Sequence, residues 1–123
     1  MRILVVEDEK HLNRIISEAV EDEGYSVDSC YNGLEALEYL ACANYDVIIL
    51  DIMMPKMDGY EATKAIRGMT FRPDAGRIPI IAMTANAFAE DVQASIDAGM
   101  NGHLSKPIVM DEVVRTIARE SNR

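Results

Sequence analysis

The stretch Val47-Ile48-Ile49-Leu50-Asp51 decides how this chain is read. Its first four residues are apolar, mostly β-branched, and show no polar alternation, which is how a strand covered on both faces appears in sequence. Residues 3–6 and 80–83 have the same character. Residues 25–30 mix polar and apolar side chains, and the apolar content around His103, Leu104 and Ser105 is short, so these two segments read as edge strands. Between the strands, apolar residues recur at helical spacing. The stripes are Leu12, Ile15, Ile16, Ala19 and Val20; Leu34, Leu37 and Ala41; Ala62, Ile66 and Met69; Ala89, Val92 and Ile96; and Val113, Val114 and Ile117.

Local punctuation supports the alternation. Asn32 with Glu35, and Asp58 with Glu61, match the capping-box pattern of a helix start. Gly24 and Gly99 stand where a helix would end on a left-handed residue. Asp111 and Glu112 put negative charge into the first turn of the last helix, where the macrodipole favours it. The order is βα five times over, so an α/β domain is expected, a parallel sheet with helices on both faces and right-handed crossovers. Residues 68–78, carrying Pro73 and Gly76, read as a surface loop.

At 123 residues the chain suits one domain, 1–123, with a sizeable core. A net charge of −9 with twelve scattered basic residues speaks against nucleic acid as a partner. No apolar run approaches the length of a membrane span, and the N-terminus lacks the features of a signal peptide. Cys30 and Cys42 form no close pair and read as small buried hydrophobes in a reducing, cytoplasmic setting.

Ligands of an open parallel sheet bind outside the carboxyl ends of its strands. Those ends carry Glu7 and Asp8, Asp51, Thr84 and Lys106. Taken singly, each has an ordinary structural explanation; Asp8, for instance, would serve as a helix cap. Their coincidence on one rim favours a functional site. Crowded carboxylates need a cation or shifted pKa values to persist. An all-oxygen donor set suits Mg²⁺, whereas the lack of a Cys or His cluster disfavours zinc. A carboxylate beside Mg²⁺ and a lysine can attack phosphorus and become an aspartyl phosphate. Asp51, on the central strand, is the expected nucleophile, with Glu7 and Asp8 as metal ligands.

The segments LVVEDE, DVIILDIMMPKMDG, PIIAMTA and AGMNGHLSKP together span the chain, and with them it resembles a response regulator receiver domain of two-component signalling. The resemblance implies a flavodoxin-like fold of strand order 2-1-3-4-5. It implies that Asp51 takes its phosphoryl group from a phosphohistidine on a sensor histidine kinase or a histidine phosphotransfer protein. It adds the Met53 backbone carbonyl to the Mg²⁺ ligands and gives Thr84 and Lys106 contacts with the phosphoryl oxygens. It also implies a cis Lys106–Pro107 bond. The segment 86–107, beginning at Asn86, is similar to receivers attached to hybrid histidine kinases. Where relatives carry a switching Tyr or Phe, this chain has His103. With no effector domain after Arg123, output is expected through contact with a downstream protein.

Rival readings fare worse. A turnover phosphatase would need a second acid near the nucleophile, where Ile52, Met53 and Met54 stand instead. A flavin carrier would need a phosphate-cradling loop after the first strand, and the acidic stretch there repels phosphate. A degenerate, binding-only receiver is at odds with retention of all five site residues. The domain is thus expected to catalyse only its own phosphorylation and dephosphorylation, not to be a turnover enzyme. His11 reads as an exposed helical residue, and the eight methionines read as core filler, except Met53 and Met54 at the site mouth.

Overall fold

The computed structural model describes residues 1–54, 57–70, 72–84 and 89–121. The elements run β1 (Arg2–Val6), α1 (Lys10–Asp22), β2 (Ser26–Cys30), α2 (Gly33–Cys42), β3 (Val47–Asp51), α3 (Gly59–Arg67), β4 (Ile80–Thr84), α4 (Ala89–Ala98), β5 (Gly102–Ser105) and α5 (Met110–Ser121). The five strands form one parallel sheet in the order β2-β1-β3-β4-β5. The two polar-leaning strands lie at its edges, as expected.

Side-chain alternation along the inner strands divides the core into two layers. Ile3, Val5, Val47, Ile49, Ile81 and Met83 pack with Ile16 and Val20 of α1 and with Val113 and Ile117 of α5. Leu4, Val6, Ile48, Leu50, Ile80 and Ala82 pack on the other face with Ala36 and Leu40 of α2 and Ala62 and Ile66 of α3. Each of these larger side chains gives roughly 1.5–3 kcal/mol on burial, so both layers hold the sheet rigid beneath its carboxyl edge.

Capping agrees with the sequence at several points. The Asn32 and Asp58 side chains accept from the backbone N–H groups of Glu35 and Glu61. Glu35 reaches back to the N–H of Tyr31, one residue earlier than a strict capping box. Gly24 and Gly99 both have positive φ, at 94° and 105°. The cap of α1 is Glu9, not Asp8: its carboxylate accepts from the N–H groups of His11 and Leu12. Asp8 is thereby left exposed on the rim.

Some helical faces are rotated from the sequence reading. In α2 the buried residues are Gly33, Ala36 and Leu40, while Leu34 and Ala41 face outward. Small residues are what permit that face to approach: a Cβ on Gly33 would come within 2.7 Å of the Met57 carbonyl. Ile15 and Ile96 are exposed as well, and the Ala89 side chain, like Asn86, lies outside the described residues. Cys30 is buried but Cys42 is exposed at the end of α2. Met54 belongs to the core beneath α2 and α3 and does not line the site.

The segment 68–78 is tied down by two arginines. Arg67 donates to the carbonyls of Ala75, Ile78 and Gly99. Arg72, itself buried, donates to the carbonyls of Leu40 and Ala43 and pairs with Asp74. Charged donors can satisfy several carbonyls at once, so a loop that looks like open surface in sequence buries Ala75 and Ile78.

Candidate functional site

The sheet register fixes where each site residue stands. Val6 lies beside Leu50, so Glu7, one step past β1, reaches the height of Asp51 at the end of β3. Asp51 lies beside Met83, and Thr84 beside Ser105. The backbone N–H of Lys106 donates to the Thr84 carbonyl at 2.8 Å, which brings the lysine back over the sheet edge. The Lys106–Pro107 peptide is cis. On the far side, a Cβ on Gly59 would lie 2.6 Å from the Asp51 carbonyl and 2.7 Å from the Ile52 Cα. Only glycine lets α3 begin this close to the Asp51 backbone.

Glu7 and Asp51 are almost wholly buried, whereas Asp8 is exposed. The Lys106 Nζ lies 3.0 Å from Glu7 Oε1 and 3.3 Å from Asp51 Oδ1. Glu7 Oε2 accepts the N–H of Glu9 at 2.9 Å, and Asp51 Oδ1 accepts the N–H of Met53 at 3.2 Å. Asp51 Oδ2 has no hydrogen-bond partner among the described residues. A buried carboxylate oxygen left so is costly unless something cationic meets it. Carboxylate oxygens of Glu7, Asp8 and Asp51 all lie within 4.8 Å of one another. One half-buried lysine, paired with Glu7 and Asp51, against three acids leaves negative charge to neutralise, and this oxygen-only donor set fits a hard divalent cation such as Mg²⁺.

Burial pushes the Glu7 carboxyl up to about 7, against the opposing hydrogen bonds from Glu9 and Lys106. Burial raises the Asp51 carboxyl too, opposed by the charge of Lys106. Burial alone would lower the Lys106 ammonium, but its bond to Glu7 and the charges of Asp51 and Glu7 outweigh that and raise it. For Glu7 the folded protein binds its proton more tightly than the unfolded chain does, whose ordinary value is 4.5. The resulting stabilisation is complete below that value and is lost as pH rises through about 7. The metal-free protein is therefore expected to lose at least about 1 kcal/mol between those limits from this group, roughly 4 °C in Tm. Glu7→Gln should flatten that part of the thermal-melt profile; equal pH slopes in both proteins would show that Glu7 is not the group responsible.

The structure thus groups Glu7, Asp8, Asp51 and Lys106, with Thr84 buried at the end of β4 beside the Lys106 backbone. Met53 is 73% exposed and meets Asp51 through its backbone N–H. His103 lies exposed on β5, away from this cluster, along a groove of about 610 Å³ beside α5. His11 is exposed on α1. Two contributors escaped the sequence reading. Glu9 caps α1 and supplies the N–H that holds Glu7, and Asn13 is buried against the same turn. The available signal for Asn13 was a polar residue set between Leu12 and Ile16 on the inward stripe, with Ser17 one helical turn further on.

A doubly wound parallel sheet with an acidic, lysine-bearing rim at its carboxyl edge is compatible with a signalling domain that accepts a phosphoryl group. Residues 3–118 match the response regulator receiver domain family, and the chain belongs to that family, whose members are receivers in two-component phosphorelay signalling. It is 39% identical over 118 residues to the transcriptional regulatory protein DltR of Streptococcus agalactiae, covering 95% of this chain and 50% of that protein. It is 35% identical over 125 residues to the sensor histidine kinase RcsC of Escherichia coli, covering 100% of this chain and 12% of that kinase. The chain therefore spans half or less of the length of these relatives. Among solved structures, the receiver domain of sensor histidine kinase PA1611 from Pseudomonas aeruginosa superposes with a TM-score of 0.89 at 35% identity, covering 99% of this chain and 98% of that one. That structure is described with a magnesium ion coordinated in the active site cleft. No described helix of the present chain is long and apolar enough to cross a membrane.

Proposed function

We propose that Asp51 accepts a phosphoryl group from a phosphohistidine on a sensor histidine kinase or histidine phosphotransfer protein, with Mg²⁺ bound at the acidic rim. One observation carries this reading: a buried carboxylate with one oxygen held by Lys106 and the Met53 N–H and the other left unengaged, within reach of Glu7 and Asp8. Glu7, Asp8, Asp51 and the Met53 carbonyl would hold Mg²⁺, whose charge would offset that of the phosphoryl oxygens as they approach the acids. A carboxylate oxygen of Asp51 attacks phosphorus; the new O–P bond forms as the donor's N–P bond breaks, and the imidazole leaves with the bonding pair. Lys106 orients the nucleophile and meets an equatorial oxygen, while the Thr84 hydroxyl donates to another. Burial of Asp51 keeps water away from the acyl phosphate.

The chain works as one unit, residues 1–123, and the phosphorylated state changes a surface read by a downstream protein. Thr84 and His103 are the residues assigned to that change, His103 moving from its exposed position toward the space beside Thr84. The setting is cytoplasmic, consistent with two free thiols. The test is intact-mass measurement after incubation with Mg²⁺ and a small acyl phosphate. One added phosphoryl group, lost on chelation of Mg²⁺ before the reagent is added, is the expected result; no adduct under any metal condition would overturn the proposal.

A further inference from the structure

Asn13 is 2% exposed, although it is an amide on the first turns of an amphipathic helix. Its two N–H groups are both used. Nδ2 donates to the carbonyl of Glu7 at 3.0 Å and to the carbonyl of Cys30 at 2.9 Å. Its Oδ1 accepts from the Ser17 hydroxyl at 3.3 Å, which fixes the orientation of the amide. The Cys30 carbonyl also accepts the N–H of Glu7 at 3.2 Å, the last rung between the first two strands. Glu7 itself has left the sheet, so its carbonyl has no strand partner and depends on Asn13.

The turn that follows is closed by three links. The Glu7 carboxylate accepts the Glu9 N–H, the Glu9 carboxylate caps α1, and Asn13 reaches back to the Glu7 carbonyl. Glu7 and Asp8 ride on that closed turn. We propose that Asn13 is a positioning residue for the cation site, setting the direction of the Glu7 and Asp8 carboxylates by holding the Glu7 peptide and the end of β2 together. This rests on the Mg²⁺ reading given above.

Asparagine suits this task because it offers two donors from one planar group to two carbonyls while staying neutral. Alanine would leave the Cys30 carbonyl with the Glu7 N–H alone and the Glu7 carbonyl without its donor in a dry site, and the Glu7 peptide would turn to find another. Groups one step removed from a metal's ligands commonly carry 10- to 100-fold of its affinity.

Mg²⁺ titration of the wild-type, Asn13→Ala, Ser17→Ala and Tyr45→Phe proteins tests the assignment, together with amide exchange at Glu9 in the metal-free state. Tyr45→Phe removes a half-buried hydrogen bond to Asp28, made by a ring that packs with α2 and α3 on the face of the sheet away from α1, and serves as the stability control. Asn13→Ala is expected to weaken Mg²⁺ by about 10-fold or more and to speed exchange of the Glu9 amide. Ser17→Ala should weaken it by about 3-fold, because the amide loses one of its tethers. Tyr45→Phe should stay within twofold. A folded Asn13→Ala protein with wild-type affinity and wild-type Glu9 exchange would overturn the proposal. If Asn13→Ala does not fold, unchanged affinity in Ser17→Ala would do so. Failure of the wild-type protein to bind Mg²⁺ would instead remove the function reading on which this one stands.

Discussion

Asp51→Asn is expected to abolish labelling by a small acyl phosphate in the presence of Mg²⁺, lowering the rate by at least about 10³-fold. The substitution keeps the shape of the side chain and replaces a charged oxygen nucleophile by a neutral amide. It should not harm the fold. The Asp51 carboxyl is raised by burial, meaning that its ionised form is disfavoured there, and the neutral amide removes one of two buried acids that share Lys106. A Tm at pH 8 equal to or above that of the wild type, in metal-free buffer, would separate lost chemistry from lost structure. Stoichiometric labelling of Asp51→Asn would place the acceptor on another residue. Mapping the label by peptide mass would then show whether Asp8, the exposed acid of the rim, had taken it.

Much of this arrangement is legible in the sequence because it follows from period and position. The runs at 3–6, 47–50 and 80–83 lack alternation since both faces of β1, β3 and β4 are covered, and all of their residues are buried. Once those strands are placed in a parallel sheet with β5 at its edge, the acids after β1 and at the end of β3 and the lysine after β5 must share one edge. Helical faces were harder to read, for a physical reason. In α2 the inward face begins with Gly33 and Ala36, small enough for close approach, and continues to Leu40, while the bulky Leu34 is left outside. Of the stripe Leu34, Leu37 and Ala41, only Leu37 then packs against the core. The polar interior was harder still. Asn13, Arg67 and Arg72 satisfy carbonyls contributed by segments far off in the chain, and nothing in the local pattern announces those partners.

Asp8→Ala and Lys106→Ala should move the site in different directions, and the pair together tests how its charge is shared. Asp8 is exposed and makes no contribution to the core, so its removal should leave the fold intact while weakening Mg²⁺ by roughly 10-fold or more, since affinity for hard cations follows ligand charge count. Phosphorylation should then require correspondingly more Mg²⁺. Lys106→Ala removes the ammonium that lies 3.0 Å from Glu7 and 3.3 Å from Asp51. That cation orients both acids but also repels a second positive charge. At pH 8, where the acids ionise more readily than at neutral pH, Mg²⁺ affinity in this variant should equal or exceed that of the wild type. What should fail is the response to phosphorylation, because no group remains to draw β5 toward the new oxygens. The ring resonances of His103, exposed on that strand, should shift on acyl-phosphate treatment of the wild type and stay fixed in Lys106→Ala. Calorimetric Mg²⁺ titrations of both variants decide the first half: unchanged affinity in Asp8→Ala would mean that the cation sits elsewhere. A full His103 shift in phosphorylated Lys106→Ala would mean that the signal leaves the site without passing through the lysine.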